Sequence, residues 1–130
     1  MSFVDAIKSG FNNYFNIQSR ASRAEYWWWI LFYYLAYLVL VFVEVMMVMI
    51  GTIDPKTGTG GLIWVFYLLT FIPCLTMLIR RFHDIDRSAW WWWISLTGIG
   101  AFVVLYWMVK PGTSGENKYG RDPYELNDQD

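Results

Sequence analysis

The stretch "LIWVFYLLTFIPCLTMLIRRFHDIDRSAWWWW", residues 62–93, changes character twice. Residues 62–79 carry no charge. Arg80, Arg81, His83, Asp84, Asp86 and Arg87 then crowd together, and Trp90, Trp91, Trp92 and Trp93 follow at once. A helix of about 20 mostly apolar residues spans a bilayer, with a range of roughly 17 to 25. The order therefore reads as a span, a polar boundary, and a re-entry marked by tryptophans, whose rings favour the membrane interface.

Working outward, two further runs fit the same description. Residues 26–50 hold one charge, Glu44, and residues 90–109 hold none. Lipid cannot hydrogen-bond the backbone, so each run is expected to be helical. The composition agrees, being 56% hydrophobic and only 16% charged, against about 25% charged in soluble domains. Burying three such helices in 130 residues of soluble protein would leave too little polar surface to cover them. The expectation is an all-α, polytopic membrane protein: a small bundle of three transmembrane helices over 26–50, 62–79 and 90–109. Residues 1–123 form one membrane domain and residues 124–130 a mobile acidic tail. The "TGIGA" segment at 97–101 offers an alternative, in which the third run breaks into a re-entrant hairpin.

Several classes are disfavoured at this level. A net charge of −1 gives no basic footprint for nucleic acid. The lone Cys74 cannot build a disulfide framework or a cysteine-only zinc site, and no metal or cofactor motif is present. The first apolar run begins too late and is too long for a cleaved signal, so the chain is expected to insert whole.

Toward the N-terminus, Phe3, Ile7, Phe11, Tyr14 and Phe15 recur at helical spacing, predicting an amphipathic helix that packs on the spans or lies at the interface. Ser22 followed by Glu25 fits a capping box, placing the start of the first span near Arg23. Trp27, Trp28 and Trp29 at that entrance, with Trp90, Trp91, Trp92 and Trp93 at the third, predict an aromatic belt. Pro73 frees the carbonyl of Leu69 and predicts a kink. Ser95, Gly98 and Ala101 would line a small-residue strip on a continuous third helix.

With three spans, Lys8, Arg20, Arg23, Arg80, Arg81 and Arg87 stand against Lys56, Lys110, Lys118 and Arg121, favouring a cytoplasmic N-terminus. Arg20, Arg23, Arg80, Arg81 and Arg87 would share one interface, pairing with Glu25, Asp84 and Asp86 or meeting anionic lipid headgroups. Were the second helix to run on, Arg80 would meet Asp84 and His83 would meet Arg87 at i, i+4 spacing. His83 beside Asp84 superficially resembles an acid–base pair, but no nucleophile or metal-ligand spacing accompanies it. Glu44 is the intramembrane polar residue; pairing with Lys56 or Lys110, snorkelling, or a polar path would each explain it.

Three motifs in order, "SRASRAEYWWWILF", "RRFHDIDRSAWWWWI" and "KPGTSGENKYGRDP", resemble the domain-of-unknown-function 805 family of small bacterial inner-membrane proteins. Arg20, Ser22, Arg23, Glu25, Tyr26 and Trp27 match its first block. Arg80, Arg81, His83, Asp84, Arg87, Ser88, Trp90 and Trp91 match the second. Pro111, Gly112, Thr113, Gly115, Asn117, Gly120, Asp122 and Pro123 match the third. Ser19, Phe82 and Ala89 depart from it at positions that are commonly glycine, leucine and glycine. The resemblance implies a helical inner-membrane protein and transfers no activity. If the third motif acts with the other two, all lie on one side, which the re-entrant form would bring about.

The functional expectation is a non-enzymatic membrane scaffold or interaction protein whose Arg/Asp/His layer touches anionic lipid. Its partners would be membrane lipids and, compatibly, further copies of itself in a homo-oligomer. The alternatives are a subunit of an oligomeric channel or transporter, with Glu44 or His83 on its path, and an enzyme acting on lipid headgroups.

Overall fold

The computed structural model describes residues 1–58 and 60–127. They form five α-helices and one 3-10 helix: α1 (Phe3–Asn12), α2 (Arg23–Met49), α3 (Gly61–Asp84), the 3-10 helix Ala89–Leu96, α4 (Gly98–Val109) and α5 (Pro123–Asn127). Residues 128–130, the end of the tail expected to be mobile, lie outside the described residues.

Helices α2 and α3 are the long apolar pair. At 1.5 Å per residue they run about 40 Å and 36 Å, beyond the roughly 30 Å hydrocarbon thickness. Much of their surface is apolar and exposed, including Tyr34, Leu38, Val39, Phe42, Leu68 and Phe71. Patches of that extent are foreign to water-facing surfaces and suit lipid. The pair is zipped by Tyr33 against Phe66 and by Tyr37 stacked on Tyr67.

The continuous third span does not form. Residues 89–109 break at Thr97, whose hydroxyl donates to Ile94 O at 2.7 Å and accepts from Gly100 N at 3.0 Å. That bond caps α4 and leaves the 3-10 helix behind it. Gly100 allows the reversal, because a Cβ there would overlap the Ile94 carbonyl. Trp91 and Trp107 consequently meet edge to face at 5.9 Å, whereas one straight helix would hold them about 24 Å apart. Ser95 falls on the 3-10 helix and Gly98 and Ala101 on α4, so the small-residue strip is not assembled either.

α1 has a reciprocal capping box between Ser2 and Asp5. The Ser2 hydroxyl and backbone hold the Asp5 carboxyl below its ordinary value. The helix ends at Asn12, short of Tyr14 and Phe15. It packs on α2 through Phe3 against Trp28 and Phe11 against Trp29. Its most buried positions are small, Ala6 and Gly10, and a Cβ at Gly10 would overlap the Trp29 ring. α3 continues through Pro73, and the Leu69 carbonyl accepts from the Tyr14 hydroxyl at 2.9 Å.

The buried core gathers at one end of the molecule. Phe82, Ile85, Val104, Trp107 and Met108 form one cluster, and Ala21, Trp29 and Met77 another. Both sit where α3 ends.

Candidate functional site: a buried ion lock

α3 ends at Asp84 because the chain turns there: Asp86 adopts a left-handed conformation, φ 59°, which aspartate tolerates better than most residues. The last carbonyls of a helix need partners, and here other segments supply them. Ala21 N donates to Arg80 O at 3.0 Å and Thr113 N to Asp84 O at 2.8 Å. Asn117 Nδ2 donates to His83 O at 2.9 Å. The segment before α2 and the tail after α4 therefore both dock on this terminus.

Charge ties the same segments together. The Asp84 carboxylate takes Arg20 on Oδ1 at 3.0 Å and Arg81 on Oδ2. Arg80 pairs with Glu25 at 2.9 Å, and the Ser9 hydroxyl of α1 donates to the same Glu25 oxygen at 2.6 Å. Side-chain exposure is 1% for Arg20, 2% for Arg80 and 0% for Arg81. Three guanidinium groups meet two carboxylates, and backbone oxygens solvate the surplus charge. Arg20 reaches Thr113 O, Gly115 O and Gly120 O. Arg81 reaches Trp107 O, Met108 O and Lys110 O, so it also caps the C-terminus of α4, where a cation is favoured. Among the buried side-chain polar atoms of the described residues, only Arg80 Nε lacks a partner, a local penalty of about 1–3 kcal/mol.

This geometry redistributes the residues that sequence places in one headgroup layer. Arg80 pairs with Glu25 and not with Asp84, whose two oxygens are taken by Arg20 and Arg81. His83 does not pair with Arg87, because the helix does not run past Asp84. Asp86 is exposed and makes no salt bridge among the described residues; it serves the turn. Arg23 is exposed and donates to Val109 O at 3.3 Å. The Arg87 guanidinium lies 4.3 Å from the Trp107 ring centre and 5.4 Å from that of Trp91. His83 stacks on Tyr119 at 3.9 Å, with Nδ1 3.3 Å from Ser19 O.

Ser22 caps α2 by accepting from Glu25 N at 3.1 Å, as its spacing predicts, while the Glu25 carboxylate is diverted into the lock. Trp27, Trp28, Trp90, Trp91, Trp92 and Trp93 are exposed. Trp29 is not part of any belt: it is fully buried and donates to Cys74 Sγ at 3.4 Å. Glu44 pairs with neither lysine. It accepts from Gly60 N at 2.9 Å and Leu62 N at 2.7 Å, capping α3 from the neighbouring helix because the N-cap Gly60 has no side chain to do so.

Ser9, Tyr119 and the tail carbonyls are site groups that the residue-level reading does not find. The third motif signals the tail's involvement, but backbone acceptors leave no trace in side-chain identity. Chemically the lock holds charge without presenting it: among the described residues, no group of three His, Cys, Asp or Glu side chains is placed to hold a metal.

Comparison with known proteins covers the stretch that holds the first two motifs and most of the third. The family described as "Protein of unknown function (DUF805)" matches residues 14–121. The chain is similar to inner membrane protein YhaH of Escherichia coli K12, 36% identical over 112 residues, covering 85% of this chain and 89% of that protein. It is also similar to inner membrane protein YhaI of the same strain, 37% identical over 116 residues, covering 88% and 92%. No solved structure matches.

Proposed function

The chain belongs to the DUF805 family, and from that premise we propose that this inner-membrane protein is a non-enzymatic membrane scaffold held by its ion lock. The observation that carries the reading is Asp84, a fully buried carboxylate shared by Arg20 and Arg81. A catalytic acid or base must reach a substrate, whereas this group is spent on joining segments. The helix pair α2–α3 crosses the bilayer, and residues 89–109 enter and return on the lock side. The 3-10 helix is about 16 Å long and α4 about 18 Å, each close to half the hydrocarbon thickness.

With the tail on the lock side, nine of the ten lysines and arginines share it, and Lys56 alone stands opposite. That asymmetry favours a cytoplasmic lock and cytoplasmic termini. Arg20, Arg80 and Arg81 are internal, so contact with anionic headgroups falls to Lys8, Arg23, Arg87, Lys110, Lys118 and Arg121, each worth about 1 kcal/mol near a charged leaflet.

The test separates the two sets. Asp84→Asn or Arg20→Gln strands buried charge and should cost about 3–5 kcal/mol, read as a lower melting temperature in detergent and a protease-sensitive tail. Arg20→Lys should not rescue, because an ammonium cannot reproduce the planar fork. Arg23→Gln with Arg87→Gln should keep the fold and reduce anionic-lipid co-purification. Unchanged stability in the first pair would refute the lock.

A further inference from the structure

A groove of about 750 Å³ runs along α3, walled by Phe71, Cys74, Leu75 and Ile79 on one side and by Trp90 and Trp93 on the other. Ile17, from the segment before α2, closes its upper end, where His83 and Ser88 are its polar lining. From Phe71 to His83 the helix rises about 18 Å, close to the roughly 15 Å depth of one leaflet's hydrocarbon. Spread over that length, the volume gives a channel of about 40 Å² in section, about half that of a helix 10 Å across. A helix of a second copy is too thick for it, and an extended hydrocarbon chain is not.

The upper end is polar, with one cation beyond it, Lys118, and the exposed Asp86 in the loop between His83 and Ser88. His83 is stacked on Tyr119, and Lys118 Nζ lies 5.1 Å from the centre of the Tyr119 ring. Lys118 makes no salt bridge among the described residues, and neither acid of the lock is available to it: Asp84 is taken by Arg20 and Arg81, and Glu25 by Arg80. The unpaired cation at a wet mouth above an apolar channel complements a lipid with a negative headgroup. A neutral His83 that donates from Nδ1 to Ser19 O keeps an acceptor at Nε2 for a headgroup hydroxyl.

We propose that this groove binds one anionic phospholipid of the cytoplasmic leaflet, an acyl chain lying between α3 and the tryptophans and its phosphate beside Lys118. The site deepens the scaffold reading and rests on it for the position of the lock at the polar face. It differs from a general lipid annulus in having two walls and one polar end, with Lys118 beyond it.

The test is native mass spectrometry of protein released from mixed phosphatidylcholine and phosphatidylglycerol nanodiscs. Wild type should retain one phospholipid, with phosphatidylglycerol preferred. Leu75→Trp fills the channel and should abolish retention, whereas Leu68→Trp, on an exposed face of α3 outside the groove, should not. Lys118→Gln should lower the phosphatidylglycerol preference about fivefold while leaving a lipid bound. Equal retention in Leu75→Trp and Leu68→Trp overturns the proposal, as does a Leu75→Trp variant that keeps its lipid and loses a second copy of the chain. Protease resistance of the tail in the same preparations reports the lock separately, so loss of lipid from Leu75→Trp with an intact tail assigns the effect to the groove and not to unfolding. A cleavable tail in wild type would instead indict the scaffold reading.

Discussion

Asp84 shows how much one side chain can be asked to hold. Its two oxygens fix two arginines, its carbonyl receives Thr113 N, and Gly112 passes so close that a Cβ there would overlap the carboxylate. Glycine at 112 is therefore set by contact with another segment. The sequence marks Asp84, Arg80 and Arg81 as unusual and names Glu25 and Asp84 among the acids that pair with the arginines. What it misses is which takes which, since Arg20 and Arg81 occupy the carboxylate that i, i+4 spacing offers to Arg80. Glu44 is legible as an anomaly from its isolation in an apolar run. Its partners are not, since a backbone N–H on the next helix has no residue type. Replacing it tests the capping role. Glu44→Leu should cost about 1–2 kcal/mol through lost capping and lost charge at a helix N-terminus. Faster amide exchange at Gly60 and Leu62 should accompany the loss. Unaltered exchange there would mean that the carboxylate does something other than cap.

At the scale of elements, apolar length alone recovers α2 and α3, and the Ser22 cap recovers where α2 begins. The same criterion misreads residues 90–109, since a charge-free run says nothing about whether it is one helix or two. The informative signal lies in "TGIGA", where a hydroxyl that can cap precedes two glycines. Gly100→Ala puts a methyl group onto the Ile94 carbonyl. Forced separation of the 3-10 helix from α4 should cost about 1–3 kcal/mol, the usual range for overpacking, and move Trp91 away from Trp107. A double-mutant cycle between Gly100→Ala and Trp91→Leu should show coupling; strict additivity would show that the two ends of the hairpin are independent. Gly98→Ala is the matched control, for open space surrounds that position.

For the molecule as a whole, the break at Thr97 decides which side the tail occupies, and with it the meaning of the charge distribution. Counted over three spans the basic residues divide six to four; counted over the proposed arrangement, two spans and a returning hairpin, they divide nine to one. Reporter fusions after residue 127 and single-cysteine accessibility in a Cys74→Ala background should place the tail and Arg23 on the cytoplasmic side and Lys56 on the other. A periplasmic tail would contradict the returning hairpin. The joint presence of three motifs is what sequence can offer here. That they converge on one helix terminus is a property of the folded chain.

The lock also has a history. Arg20 finishes by bonding to the carbonyl of Gly120, 100 residues later in the chain, so at 5–20 residues per second about 5–20 s of synthesis separate the two. During that interval the shells of Arg20 and Arg81 are incomplete: Asp84 is made 64 residues after Arg20, and Met108 and Lys110 are made 27 and 29 residues after Arg81. An incompletely partnered arginine at a helix end is the kind of charge that biases orientation during insertion. Once the tail arrives the same charges are withdrawn from solvent, and on the proposed topology the charges that orient the chain become the fastening that keeps it threaded.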